Sequence, residues 1–115
     1  MMDSTPRFLS GIFPFIGGGL TAPAPLAELS YKVPFDKRSQ LIYLRAGNSC
    51  DELITVVLMR DGSPMRYFPV GAKASYHVPL SVVEDLMPES RIEVYLAAPQ
   101  GTSGTVVLDI GLIEI

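Results

Sequence analysis

The chain carries one histidine, His77, and one cysteine, Cys50, so any side-chain chemistry must be assembled around these two or around carboxylates. Ser75, His77 and Asp109 supply the residue types of nucleophilic hydrolysis, in which an imidazole takes the serine proton and a carboxylate orients the ring. Their placement argues against that role. In "AKASYHVPL", residues 72–80, apolar and polar residues alternate, which puts Ser75 and His77 on the same face of one strand. Two strand steps hold them about 7 Å apart, too far for a good hydrogen bond, whereas such nucleophiles sit on loops or strained turns. Metal chemistry fares no better. Cys50 and His77 lie 27 residues apart, and the acids form no HxH, HExxH or DxDxDG spacing. Asp51, Glu52 and Asp61 are the acids best suited to hold calcium between strand ends, but turn chemistry accounts for them more simply.

Cys50 is followed at once by Asp51 and Glu52, the wrong electrostatic setting for a thiolate, and being alone it forms no intrachain disulfide. The run Gly17–Gly19 leads into "LTAPAP", with no lysine and no helix to follow, so it reads as a joint rather than a phosphate cradle. No catalytic, cofactor-binding or metal-binding residue is therefore assigned, and the chain is expected not to be an enzyme. The polar residues that remain as a candidate ligand face are Arg66, Lys73, His77 and Tyr95, types enriched at recognition surfaces. Arg66 and His77 share an exposed face if the strand of 64–70 lies beside that of 72–80.

The elements that must position these residues repeat with a period of two. "LAELSYKV" sets Ala27, Leu29, Tyr31 and Val33 against Glu28, Ser30 and Lys32. "LIYLRA", 41–46, is apolar on both faces until Arg45, as interior strands are, and "ELITVVLMR", 52–60, is rich in β-branched residues and reads as similarly buried. Asp61–Gly62 between apolar runs is a strong hairpin signal. It returns the chain through "PMRYFPV", 64–70, whose prolines mark an edge strand. "SVVEDL" is the one helical candidate: Ser81 and Glu84 have capping-box spacing, predicting a turn or two over 81–87. "RIEVYLAA", 91–98, points Ile92, Val94 and Leu96 inward, and "TVVLDIGLIEI", 105–115, does the same with Val106, Leu108, Ile110 and Leu112. About seven short strands with regular turns read as an all-β antiparallel sandwich, of jelly-roll or immunoglobulin-like form, over residues 26–115.

Residues 1–25 read as an extended apolar arm. Twenty consecutive residues, Phe8 to Ala27, carry no charge, and within them Phe8, Leu9, Ile12, Phe13, Phe15 and Ile16 are large and apolar. Repeated glycine and proline rule out a transmembrane helix. Asp3, Pro14 and Pro25 sit badly in a cleavable signal, so the segment is expected to be retained and the protein cytoplasmic. A chain that is 48% hydrophobic and 18% charged must hide the surplus, and the arm is expected to cross to a partner, most simply in a homodimer. The net charge of −3 and scattered basic residues exclude the electrostatic footprint of nucleic-acid binding.

Residues 41–115 resemble the galactose-binding-like jelly rolls, which include many carbohydrate-binding modules. The likeness lies in the order of pieces: an aliphatic strand, the "MRDG" hairpin, "YHVPL", "RIEVYL" and "GTVVLDIGLIEI". It implies architecture and no binding residue: such modules commonly stack sugars on tryptophan or tyrosine, and this chain has no tryptophan. The leading expectation is a non-enzymatic module that associates with itself or a larger protein through the arm. The alternative is a ligand-binding module, with carbohydrate the ligand the likeness implies.

Overall fold

The computed structural model describes residues 4–115, Glu28 by its backbone alone. Eight strands run in chain order: β1 (Thr5–Ile16), β2 (Ala24–Lys32), β3 (Ser39–Asn48), β4 (Ile54–Arg60), β5 (Ser63–Val70), β6 (Ser75–Leu86), β7 (Arg91–Ala97) and β8 (Ser103–Glu114). They form two antiparallel four-stranded sheets, ordered β1-β8-β3-β6 and β2-β7-β4-β5. The chain changes sheet at every connection except the β4–β5 hairpin, and this interleaving makes the sandwich a jelly roll. At that hairpin Asp61 and Gly62 both take positive φ, 50° and 83°, the backbone that a two-residue turn between twisted strands requires.

The core lies between the sheets and follows the period-two pattern closely. Leu44, Ile54, Val56, Leu58, Ile92, Val94, Leu108 and Ile110 are all at most 1% exposed. Each such side chain stabilises the fold by about 1.5–3 kcal/mol relative to exposure. At one end, a polar group joins the two sheets. Tyr31 of β2 donates a hydrogen bond to Glu114 of β8 at 2.5 Å, while its hydroxyl lies 2.7 Å from Ser39 Oγ and Arg7 Nε pairs with Glu114 at 3.1 Å.

Three expectations are corrected. The opening stretch is not an arm apart from the body: Thr5–Ile16 is β1, the edge strand of the first sheet, paired with β8 from Thr5 opposite Glu114 to Ile16 opposite Ser103. Residues 1–3 of that stretch, Asp3 among them, lie outside the described residues. This chain's own body buries Leu9 and Phe15 and half-buries Phe13, whereas Phe8, Ile12 and Ile16 point outward and stay exposed. Nor is Gly17–Gly19 a free joint. Gly17 N–H donates to Thr102 O and Gly19 N–H to Ala98 O, both at 2.7 Å, and a side chain at Gly17 would collide with the carbonyl of Pro99. The helix expected over 81–87 is the far half of β6, paired with β3 through Leu86 opposite Ser39. Val82 and Val83 favour a strand, and a tertiary ladder outweighs the weak local signal of a capping-box spacing.

β2 departs from simple alternation. A bulge between Pro25 and Ser30 turns Leu26 inward, with Ala27 at φ 52° and exposed. Leu26 takes the inward position that alternation assigned to Ala27, and the strand leaves β7 over these few residues.

Candidate functional site

The outer face of the first sheet gathers the polar residues. In register across its strands run Ser10 of β1, Asp109 of β8, Arg45 of β3 and His77 of β6. One step along lies Ile12, Val107, Gly47 and Ser75, and one step the other way Phe8, Gly111, Tyr43 and Pro79. Period-two alternation delivers all of these outward while Leu44, Ala46, Leu108 and Ile110 fill the core.

Gly47 creates the concavity. A Cβ there would stand 3.8 Å from the Cβ atoms of both Ser75 and Val107, so its absence leaves a trough between β8 and β6. The resulting groove, about 680 Å³, is lined by Arg45, Gly47, Ser75, Tyr76, His77, Val107 and Asp109. Tyr43 stands beyond Arg45 on the same face of β3. The phenol ring lies over Gly111, whose missing side chain leaves the room, and its hydroxyl donates to Asp109 Oδ1 at 3.0 Å. His77 meets that ring edge to face with centroids 5.8 Å apart, and the Arg45 guanidinium sits 5.7 Å from its centroid. Burial, and then the hydrogen bond to Asp109, push the Tyr43 hydroxyl above its ordinary pKa, so it remains a neutral donor. Arg45 is exposed and has no carboxylate ion pair among the described residues, leaving its N–H groups available.

Ser75, His77 and Asp109 thus border one groove, but Arg45 stands between His77 and Asp109 in the sheet. Two strand spacings, about 10 Å of backbone separation, and an intervening guanidinium replace the carboxylate–imidazole contact that a catalytic triad needs. The four residues of the expected ligand face do not converge. His77 lines the groove. Arg66 belongs to β5 in the other sheet and pairs at 3.7 Å with Glu84 of β6 along the sandwich edge, so the shared face with His77 does not form. Lys73 lies in the turn before β6, at φ 53°, and pairs with Asp51 at 3.5 Å. Tyr95 is on β7, facing out from the second sheet opposite Val57. Asp51 and Glu52 precede β4 and Asp61 follows it, at opposite ends of the strand, so they cannot share a cation. Among the described residues no three acidic, histidine or cysteine side chains cluster as metal ligands would, and no helix is long and apolar enough to cross a membrane.

Tyr43, Arg45 and Gly47 did not stand out in the sequence as binding residues. The available signal was the pattern Tyr43-x-Arg45-x-Gly47, a bulky, a charged and an absent side chain in succession on one face of the strand.

No protein-family model matches the sequence, and no curated protein is significantly similar to it. Solved structures do share its shape. The CBM36-1 domain of a multidomain xylanase from the hindgut metagenome of Trinervitermes trinervoides superposes with a TM-score of 0.59 at 16% identity, over 95% of this chain and 96% of that one. A carbohydrate-binding module CBM36, solved with calcium and xylotriose, gives 0.60 at 21% identity over 93% and 97%. The VP2 subviral particle protein of infectious bursal disease virus gives 0.56 at 11% identity, over 96% of this chain but 32% of its own length. The chain has the jelly-roll β-sandwich fold of carbohydrate-binding modules, over almost the whole length of such a module.

Proposed function

We propose that this protein is a non-catalytic carbohydrate-binding module whose ligand lies in the groove over Gly47. The observation that carries the reading is the composition of that groove. A carboxylate (Asp109), an unpaired guanidinium (Arg45), an imidazole (His77) and a hydroxyl (Ser75) surround a floor without a side chain, beside the apolar Val107. Sugars present hydroxyls that both donate and accept, together with apolar C–H faces. A site of mixed donors, acceptors and apolar surface complements them, and charge-assisted hydrogen bonds make the polar contacts stronger. Two full-length structural neighbours are carbohydrate-binding modules, one with bound xylotriose. That neighbour was solved with calcium as well; here binding is assigned to the side chains that line the groove.

Calorimetric titration with xylotriose and with soluble xylan tests the reading. Arg45→Ala or Asp109→Ala is expected to weaken binding about tenfold or more, as loss of a charge-assisted hydrogen bond does. Gly47→Leu is expected to abolish binding at the groove by filling it. Binding by the wild type that is indifferent to all three substitutions would remove the groove from the proposal.

A second reading, self-association, is favoured by one specific observation. Phe8, Ile12 and Ile16 of β1 and Val107 of β8 form an apolar stripe on this same face, between 50% and 84% exposed. A second copy laid on the stripe, or paired to the free edge of β1, would cover it. Light scattering of the full chain against Ile12→Glu decides: a dimer that becomes monomeric supports this reading, and a monomeric wild type at high concentration removes it.

A further inference from the structure

The outer face of the second sheet carries a different aromatic arrangement. Val57 and Met59 of β4 are 1% and 8% exposed, yet neither belongs to the core between the sheets, which takes Ile54, Val56 and Leu58 from that strand. They alternate with those core residues and so face outward, yet both are covered from water. Directly opposite Val57 stand Tyr67 on β5 and Tyr95 on β7. Tyr67 nevertheless remains 61% exposed. The Tyr67 side chain is therefore open to a ligand beside the covered Val57. One strand separates the two tyrosines, so their backbones are about 10 Å apart, close to the length of a disaccharide. Beside Tyr95 the bulge of β2 opens a pocket of about 210 Å³, where Ser30, Glu93 and Tyr95 meet Pro25 and Leu29.

From this geometry we infer a second saccharide-binding surface, in which Tyr67 and Tyr95 support successive sugars of one neutral chain and Glu93 and Ser30 hydrogen-bond its hydroxyls. The inference rests on the carbohydrate-binding reading of the protein but on none of the residues of the Gly47 groove. A flat ring is a stiff, amphipathic contact that loses little entropy on binding, and its face suits the apolar C–H side of a pyranose. Glu93 supplies the acceptor that neutral hydroxyls need, and its charge disfavours acidic sugars at the same place. Because the two surfaces are on opposite sides of the sandwich, one molecule engages two polysaccharide chains and links them.

Affinity electrophoresis of the full chain through gels containing soluble xylan, galactan or hydroxyethylcellulose tests this, with melting curves confirming that each variant is folded. Arg45→Ala, which disables the groove, is expected to leave part of the wild-type retardation, and adding Tyr67→Ala to remove the rest. In calorimetry, Tyr67→Ala alone is expected to weaken one class of sites about tenfold, within the range of aromatic contacts, while Tyr67→Phe retains it. Wild type is expected to raise the viscosity of the bound polysaccharide, and either single-surface variant is not. Should Tyr67→Ala and Tyr95→Ala migrate as wild type while Arg45→Ala loses all retardation, the second surface falls and the groove stands. Should Arg45→Ala migrate as wild type while Tyr67→Ala loses all retardation, the second surface stands and the groove falls. Wild type unretarded in all three gels overturns both.

Discussion

Two tyrosines in this molecule do the same thing in different places. Tyr31 and Tyr43 each donate a hydrogen bond to a carboxylate of β8, Glu114 and Asp109, and an arginine stands beside each pair, Arg7 and Arg45. The first set lies at one end of the sandwich, with Glu114 only 4% exposed, the half-buried Tyr31 also meeting Ser39 through its hydroxyl, and Arg7 reaching solvent. The second is on an open face, where Arg45 is exposed and has no carboxylate ion pair among the described residues. Identical chemistry therefore has two consequences. In the first set, both Tyr31 and Arg7 are engaged by the buried Glu114, and the group ties β2 of one sheet to β1 and β8 of the other. Outside, donors and acceptors are left over, and a surplus held in fixed geometry is what a ligand can use.

Substitutions sharpen the contrast. Glu114→Ala is expected to cost the most, about 2–3 kcal/mol, because it deprives Tyr31 and Arg7 of their shared acceptor inside the fold. Urea denaturation measures it, and a loss below half a kilocalorie would show that the interior group is not a strut. Gly111→Ala comes next, at about 1–2 kcal/mol by overpacking, since the new methyl meets the Tyr43 ring. Displacement of that ring should weaken the proposed saccharide binding as well, which Glu114→Ala should not do beyond its effect on folding.

Tyr31→Phe is expected to lose about 1 kcal/mol and to change the alkaline limb of stability. Burial, followed by the hydrogen bond to Glu114, raises the Tyr31 hydroxyl from 10.0 to about 12. The unfolded chain gives up this proton first, so the associated stability is complete below pH 10 and lost as the pH rises towards 12. Denaturation at pH 9 and pH 11 should show a decline in wild type that is smaller in Tyr31→Phe. An equal decline in both would assign the alkaline loss elsewhere. The smallest effect is expected at His77→Ala, which should change stability by no more than about 0.5 kcal/mol because the ring is exposed. A larger loss would make His77 part of the fold rather than of the groove.

The body of the sandwich was legible because its strands alternate cleanly. Ile92, Val94 and Leu96, and Val106 to Leu112 in steps of two, are inward as the sequence requires. β1 was not legible as a strand, since Phe8 and Ile12 outside are as apolar as Leu9 and Phe15 inside and no contrast marks the faces. The first half of β6 was legible as a strand, and its far half was obscured by a local signal, the Ser81–Glu84 spacing, which pairing with β3 overrides. The site was hidden for a further reason. Asp109, Arg45 and His77 come together through register between strands distant in sequence, and so does Glu84 with Arg66. Alternation tells which face a residue takes, but not which strand will lie beside it.

The strand order also sets a schedule for folding during synthesis. β1 is at the edge of its sheet, and its sole strand partner is β8. A growing chain therefore emerges with Leu9, Phe13 and Phe15 early, and cannot dock them in their final ladder until the residues beyond Ser103 have been made. At about 5–20 residues per second of synthesis, that is an interval of roughly five to twenty seconds with unpaired apolar backbone. The β4–β5 hairpin can close within that interval, because its strands are joined by a two-residue turn. Completion of the first sheet waits for the last strand, which makes the nascent chain, rather than the finished sandwich, the form most exposed to aggregation.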